Sequence, residues 1–344
     1  MPEAQLVVSA VCGFLISALC VVFALRYARR RGLLDRPGQR RSHALPTPRG
    51  GGIGIVAGAL IAGASACLLE PETWTPVTVA VIAVAVLAVA IVGWRDDHAP
   101  LSILPRIGVH VLASIGVGFV LLWPAALVDQ RLWWWLVAIV PLIAGSINAH
   151  NFMDGIDGLL GLQALFVLIS YALLARVAGD FALTAASLGA AAACLGFLIF
   201  NLPPARIFMG DVGSGTLGLL IGAFAGLLVQ RHPEWLWACA ILSSGFLVDA
   251  GLTLFARVLN GRRWYTAHRE HLYQWMVRAD LDHAQTDGVY MLWNLIVAAP
   301  AAWLAAHLPP MRAFVLCAAV YVLAGVLWIA GKRACLRTVQ RGHA

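Results

Sequence analysis

An all-α, polytopic integral membrane fold is predicted by three observations on this sequence. Of its 344 residues 61% are hydrophobic and only 12% charged, which is more apolar surface than a water-soluble core of this length can use. Apolar runs long enough to span a bilayer recur along the whole chain. The basic residues collect in alternate connections, so the net charge of +7 follows one side of a membrane and does not point to nucleic acid. The seven cysteines are scattered singly without a CxxC pair and read as small packing residues, not as a disulfide or zinc framework.

Taken in order, the apolar runs cover 6–25, 53–69, 77–92, 107–123, 133–147, 159–175, 181–200, 215–229, 235–255, 289–306 and 313–330. They predict about 10–11 transmembrane helices in a single membrane domain over 1–344. The first run precedes its basic cluster (Arg26, Arg29, Arg30, Arg31), the reverse of a cleavable signal peptide, which favours an N-terminus outside. Threading the connections alternately places 20 of the 24 Lys and Arg on one side, the cytoplasmic side by the positive-inside rule. The C-terminus, with Lys332, Arg333, Arg337 and Arg341, then lies in the cytoplasm. The outer connections are short, so chemistry is expected at the inner face.

The densest polar cluster is NAHNFMDGIDGLLG from Asn148 to Gly161, with Asn148, His150, Asn151, Asp154 and Asp157 in an otherwise apolar context. A plain hairpin needs one Asp-Gly pair; two acids, two amides and glycines that admit tight turns suit a binding loop. The first inner connection, RRSHALPTPRGGG from Arg40, sets His43 and Arg49 beside a glycine triplet that could cradle phosphate, whereas its earlier arginines read as membrane anchors. In the second, Asp96 and Asp97 adjoin at a helix C-terminus, where negative charge is disfavoured unless a cation or proton offsets it. A fourth, NLPPARIFMGDVGSG, holds Phe208 and Asp211 among glycines; Asp211 suits either a cation site or a helix cap. Asp249 interrupts an apolar run and should face a polar cavity or a cation. The longest inner connection carries HREHLYQ, with His268, Arg269, His271 and Tyr273, and its later part has the spacing of an amphipathic surface helix.

Together RRSHALPTPRGGG, the Asp96–Asp97 pair, NAHNFMDGIDGL, FMGDVGS and HREHLYQ resemble the polyprenyl-phosphate N-acetylhexosamine-1-phosphate transferases, the family of MraY-type and WecA-type enzymes. The resemblance covers nearly the whole chain in order, and HREHLYQ is similar to the O-antigen and polysaccharide branch. It implies transfer of a sugar-1-phosphate from a UDP-N-acetylhexosamine to undecaprenyl phosphate, with release of UMP, at the bacterial inner membrane. The implied cofactor is Mg²⁺, with Mn²⁺ as an alternative, and the reading leaves room for a homodimer. By the same resemblance Asp211 is the metal ligand, Asp96 or Asp97 the base that activates the lipid phosphate, and Asn151 and Asp154 line the reacting centre. Asp157 and Phe208 match positions that hold uracil. His271, Arg269 and His268 match contacts to diphosphate or sugar, and nucleotide contacts fall to His43, Arg49 or the neighbouring arginines, since no lysine precedes Lys332. Pro100 stands where an aspartate-rich prenyl-diphosphate motif has a third acid, and HREH replaces the usual HxHH-like string. The nearest rivals are a UbiA or CDP-alcohol type lipid transferase and a cation-coupled transporter. The latter would place its acids near the midplane, where only Asp249 qualifies.

Overall fold

A computed structural model describes residues 2–35, 46–70, 74–263 and 268–341. All eleven apolar runs are helical. They form α1 (Pro2–Arg31), α2 (Ile53–Leu69), α3 (Pro76–His98), α4 (Ile103–Ala126), α5 (Leu136–Met153), α6 (Leu159–Val177), α7 (Phe181–Asn201), α8 (Asp211–Arg231), the pair α9 (Leu236–Leu242) and α10 (Ser244–Leu259), α12 (His283–Trp293) continuing into α13 (Ala299–Ala305), and α14 (Pro310–Arg341). The short α11 (Leu272–Arg278) fills the longest inner connection, where the sequence predicts a surface helix. A two-residue antiparallel pair, β1 (Leu34–Asp35) with β2 (Thr47–Pro48), is set in register by Leu34 opposite Pro48.

Among the described residues nine helical stretches are long and apolar enough to cross a membrane. The difference from eleven has two physical sources. Helix α2 has 17 residues, at the short limit for a span. The ninth run is broken, α9 and α10 meeting at a bend of 70°. A break frees backbone groups that must find partners in an apolar medium, and here the Leu242 carbonyl accepts from Gln163 Nε2 at 3.3 Å while Asn294 Nδ2 donates to Gln163 Oε1 at 2.7 Å.

Helices α7 and α8 are the most buried, their apolar windows 72% and 78% inside the bundle. Alanine and glycine along α7 leave room for close neighbours, and buried serines tie α1 across it: Ser9 Oγ donates to the Ala185 carbonyl at 3.0 Å and Ser17 Oγ to that of Ala193 at 2.7 Å. Such interhelical bonds are worth on the order of 0.6–2 kcal/mol each. At one end of the bundle Trp133 stacks on Phe119 at 5.1 Å with Trp123 beside them, an aromatic belt of the kind found at a membrane surface. The opposite end gathers the finish of α3, α5, α7 and α10 and the start of α2, α4, α6, α8 and α12, and the described parts of the polar motifs on these elements fall there.

Candidate active site

A cleft of about 220 Å³ opens at that end, bordered by Asp35, Arg49, Asp154, Asp157, Phe208 and Asp211, with Asn201, Gln274 and His283 completing the wall. Helix α5 runs on to Met153, so Asn148, His150 and Asn151 occupy its last turns and only 154–158 form the loop itself. Asn148 and His150 bond backward to the carbonyls of Ala144 and Ser146 and do not line the cleft. The loop is fastened by Asn201, whose Oδ1 accepts from Gly158 N–H at 3.0 Å and whose Nδ2 donates to the Ile207 carbonyl at 3.0 Å.

Asp211 is the first residue of α8, and Gly210 is its cap. The capping carboxylate comes from elsewhere: Asp97 accepts from Asp211 N–H at 3.1 Å and from Val212 N–H at 3.4 Å, satisfying donors that a helix start leaves open. Gly210 has φ 75° and ψ 171°, and a Cβ there would meet Asp97 Oδ2 at 2.3 Å. Asp96 is used differently, its Oδ1 accepting from Leu101 N–H at 2.6 Å and its Oδ2 from Arg106 at 3.0 Å. Arg106 also reaches Asp211 Oδ2 at 2.8 Å and Asn151 Oδ1 at 3.4 Å, and Asn151 Nδ2 donates to Ser214 Oγ at 2.9 Å.

Arg49 stands between Asp35 at 3.4 Å and Asp97 at 3.8 Å. It borders both the polar cleft and an apolar groove of about 360 Å³ lined by Phe23, Tyr27, Trp94 and Asp97. The glycine triplet has a packing role: Gly51 and Gly52 donate their N–H to the carbonyls of Phe208 and Met209, both at 2.9 Å, so these two groups do not cradle a phosphate. A Cβ on Gly52 would lie 2.3 Å from Gly213 Cα, which makes glycine the residue that lets the first and fourth inner connections touch. His43 lies outside the described residues.

Burial, with the charges of Asp211 and Asp97 nearby, pushes the Asp154 carboxyl up to about 8 against the partial relief of Arg49. This corner holds more acid than its arginines offset. Among the described residues no group of three His, Cys, Asp or Glu side chains could hold a metal ion alone. The donor set of Asp211, with Asp154 on the same wall, fits Mg²⁺, which binds through one or two carboxylates and fills its shell with water and substrate phosphate.

At the other side of the cleft Asp157 Oδ2 accepts from Ala205 N–H at 2.9 Å and lies 3.3 Å from His283 Nδ1, while its Oδ1 is buried without a hydrogen-bond partner. Phe208 shares this wall, held by its N–H to the Pro48 carbonyl at 2.8 Å. His271 and His268 lie 4.9 Å apart by ring centroids, the former stacked on Phe152 at 6.2 Å. Burial, reinforced by His271 and Arg257, lowers the His268 pKa to about 4. From this segment Gln274 lines the cleft, whereas Glu270 is taken up by Arg257 and Arg262. Arg106, Asn201, Gln274 and His283 are site residues that the sequence reading passed over. Arg106 carried a signal, a lone arginine at a helix start in an inner connection; Asn201 opens NLPPARIFMGDVGSG and Gln274 closes HREHLYQ without having been singled out there, and His283 carried none.

Acids, an arginine and an aromatic side chain thus converge on one polar cleft at one end of a bundle of apolar helices, an arrangement that can hold an anionic ligand and a cation. Residues 79–229 match the family model described as Glycosyl transferase family 4. The chain is 31% identical to the decaprenyl-phosphate N-acetylglucosaminephosphotransferase of Mycolicibacterium smegmatis, over 90% of this chain and 85% of that protein. It is 29% identical to the probable undecaprenyl-phosphate N-acetylglucosaminyl 1-phosphate transferase of Bacillus subtilis, over 83% of this chain and 82% of the relative. With the phospho-N-acetylmuramoyl-pentapeptide-transferase of Moorella thermoacetica it shares 32% identity, over 64% of this chain and 73% of the relative. The chain belongs to the polyprenyl-phosphate N-acetylhexosamine-1-phosphate transferase family.

Proposed function

We propose that the protein transfers N-acetylhexosamine-1-phosphate from a UDP-sugar to undecaprenyl phosphate at the cytoplasmic face of a bacterial inner membrane. The observation that carries the reading is that one cleft joins Asp154, Asp211 and Arg49, suited to a diphosphate and its cation, to Asp157 and Phe208, suited to a base. Family membership supports the reaction class and sets aside the UbiA-type, CDP-alcohol and transporter readings.

Donor and acceptor are both anionic, so their repulsion must be offset before they meet. Arg49 contributes at the diphosphate, and Asp211, with Asp154 beside it, would hold Mg²⁺. When bound, the cation supplies Lewis-acid neutralisation of phosphate oxygens. Asp157 accepts from the uracil edge through its unpartnered oxygen, and Phe208 stacks on the base. An oxygen of the lipid phosphate forms a bond to the sugar-linked phosphorus, the bond from that phosphorus to the bridging oxygen breaks, and UMP leaves with that oxygen. Of the two neighbouring acids, both of which also hold backbone N–H groups, Asp97 borders the apolar groove beside Arg49, which supports it as the base that takes a proton from the acceptor. Asp96 is committed to Arg106 and Leu101.

The sugar is GlcNAc or a 6-deoxy relative such as QuiNAc or FucNAc, feeding a lipid-linked polysaccharide such as O-antigen. The HREHLYQ segment departs from the shared strings and is where discrimination belongs, and Arg269 within it is the residue to test. Purified protein should release UMP from UDP-GlcNAc, UDP-QuiNAc or UDP-FucNAc only when undecaprenyl phosphate and Mg²⁺ are present. Folded protein that releases no UMP from any of these overturns the reading. Arg269→Ala should change the ranking of the sugars; an equal fall for all makes the segment general phosphate-binding machinery.

A further inference from the structure

Asp249, an acid singled out by the sequence, has no task in the proposed chemistry. It stands on α10, 1% exposed, where a carboxylate persists only if polar partners replace water. The donors come from four helices. Its Oδ1 accepts from Leu272 N–H at 2.8 Å, Trp328 Nε1 at 2.8 Å and Thr253 Oγ1 at 3.2 Å. Its Oδ2 accepts from the Tyr290 hydroxyl at 2.7 Å and from Tyr273 N–H at 3.4 Å. His271 Nδ1 lies 3.8 Å from Oδ1.

Two of these donors are the first backbone N–H groups of α11, the helix that begins within HREHLYQ. From Tyr273 the connection continues to the catalytic loop: its hydroxyl donates to the Phe152 carbonyl at 3.1 Å and occupies the place a Cβ on Gly155 would need. Phe152 and Gly155 flank Asp154. Gln274 Nε2 donates to the same hydroxyl at 3.1 Å and Gln274 borders the cleft. The His271 ring lies between Phe152 and Tyr273, 5.8 Å from the latter at an interplanar angle of 17°.

We propose that Asp249 is a positioning residue for donor recognition, holding the start of α11 so that His271 and Gln274 meet the sugar-diphosphate end of the nucleotide sugar. The inference rests on the transfer reading above. A carboxylate is required because acceptor capacity is needed on both oxygens. In Asp249→Asn one oxygen can keep Leu272 and Trp328, while the amide NH₂ faces Tyr290, whose hydroxyl can turn to accept, and the Tyr273 N–H, which cannot. The substitution therefore releases Tyr273 selectively.

The test measures steady-state kinetics for both substrates, and amide hydrogen exchange of 271–275, on monodisperse Asp249→Asn and Tyr290→Phe. Asp249→Asn should raise KM for the UDP-sugar about three- to tenfold, leave the KM for undecaprenyl phosphate within about twofold, and speed exchange at Tyr273 while Leu272 keeps its protection. Tyr290→Phe should give the same split more weakly, and it carries the test alone if the Asn variant does not fold. Unchanged donor KM, or both KM values rising together with loss of folded protein, overturns the proposal by showing a role in stability only. A wild-type protein that turns over no UDP-sugar refutes the transfer reading instead.

Discussion

Replacing Gly210 with alanine tests the geometry that places Asp211. Gly210 has φ 75° and ψ 171°, a region essentially reserved for glycine that costs other residues about 1–3 kcal/mol. The new methyl would also meet Asp97 Oδ2 at 2.3 Å and Cγ at 2.9 Å. That carboxylate cannot simply turn aside, because it holds the Asp211 and Val212 N–H groups; forced overpacking of this kind costs about 1–3 kcal/mol. Together the effects predict a loss of about 2–6 kcal/mol, and displacement of Asp211 should reduce turnover at matched folded protein. Gly145→Ala is the control: nothing lies within 4 Å of the point where its new methyl would stand, and inside α5 alanine should stabilise by about 0.5–1 kcal/mol. Thermal unfolding in detergent and UMP release are the assays. A double-mutant cycle with Asp97→Ala should recover only the steric part, with a coupling of about 1–3 kcal/mol. Gly210→Ala matching wild type in both assays refutes the reasoning.

Asp211→Asn should leave the fold intact and lower turnover at least about a hundredfold, an amide being a poorer ligand for a hard cation; near wild-type turnover at limiting Mg²⁺ would contradict the metal assignment. Arg106→Ala should cost about 1–3 kcal/mol, between the values for exposed and buried ion pairs, and Arg106→Lys should restore only part of it, since lysine lacks the fork that joins Asp96, Asp211 and Asn151; full rescue in unfolding experiments counts against the bridge. Phe208→Ala should raise the donor KM about tenfold through a lost stacking contact worth about 1–3 kcal/mol, leaving the acceptor KM unmoved. A single cysteine at Ser102, with the seven native cysteines replaced, should resist an impermeant maleimide in intact cells, and labelling from outside sinks the proposed orientation.

The membrane class was legible because hydrophobicity is a local property: each run of apolar residues must find lipid or protein whatever its neighbours do. The motifs were legible for the complementary reason. A cluster such as Asn148 to Asp157 is too costly in an apolar chain unless something uses it, and resemblance to a family supplied the use. The broken ninth span was passed over, although Ser243, Ser244 and Gly245 stand at its 70° bend; the partners of the freed backbone, Gln163 and through it Asn294, are remote in sequence.

Within the site, residue type identified which groups carry chemistry, but not how they divide the work. Asp96 and Asp97 are neighbours of identical type, yet one closes a turn with Leu101 and Arg106 while the other caps α8 and stands by Arg49. Glycines 50–52 looked like a phosphate cradle, and Gly51 and Gly52 serve instead for close approach between two connections. Asp249 looked like a cavity or cation site and proved to be an acceptor shared by four helices. By itself the sequence determined the apolar spans, the end of the bundle where polar chemistry gathers, and the family. Only the tertiary structure decided which partner each carboxylate takes, because hydrogen bonds and ion pairs depend on ångström-scale separations between residues such as Asp97 and Val212, 115 positions apart, or Asp157 and His283, 126 apart, which composition and spacing along the chain do not encode.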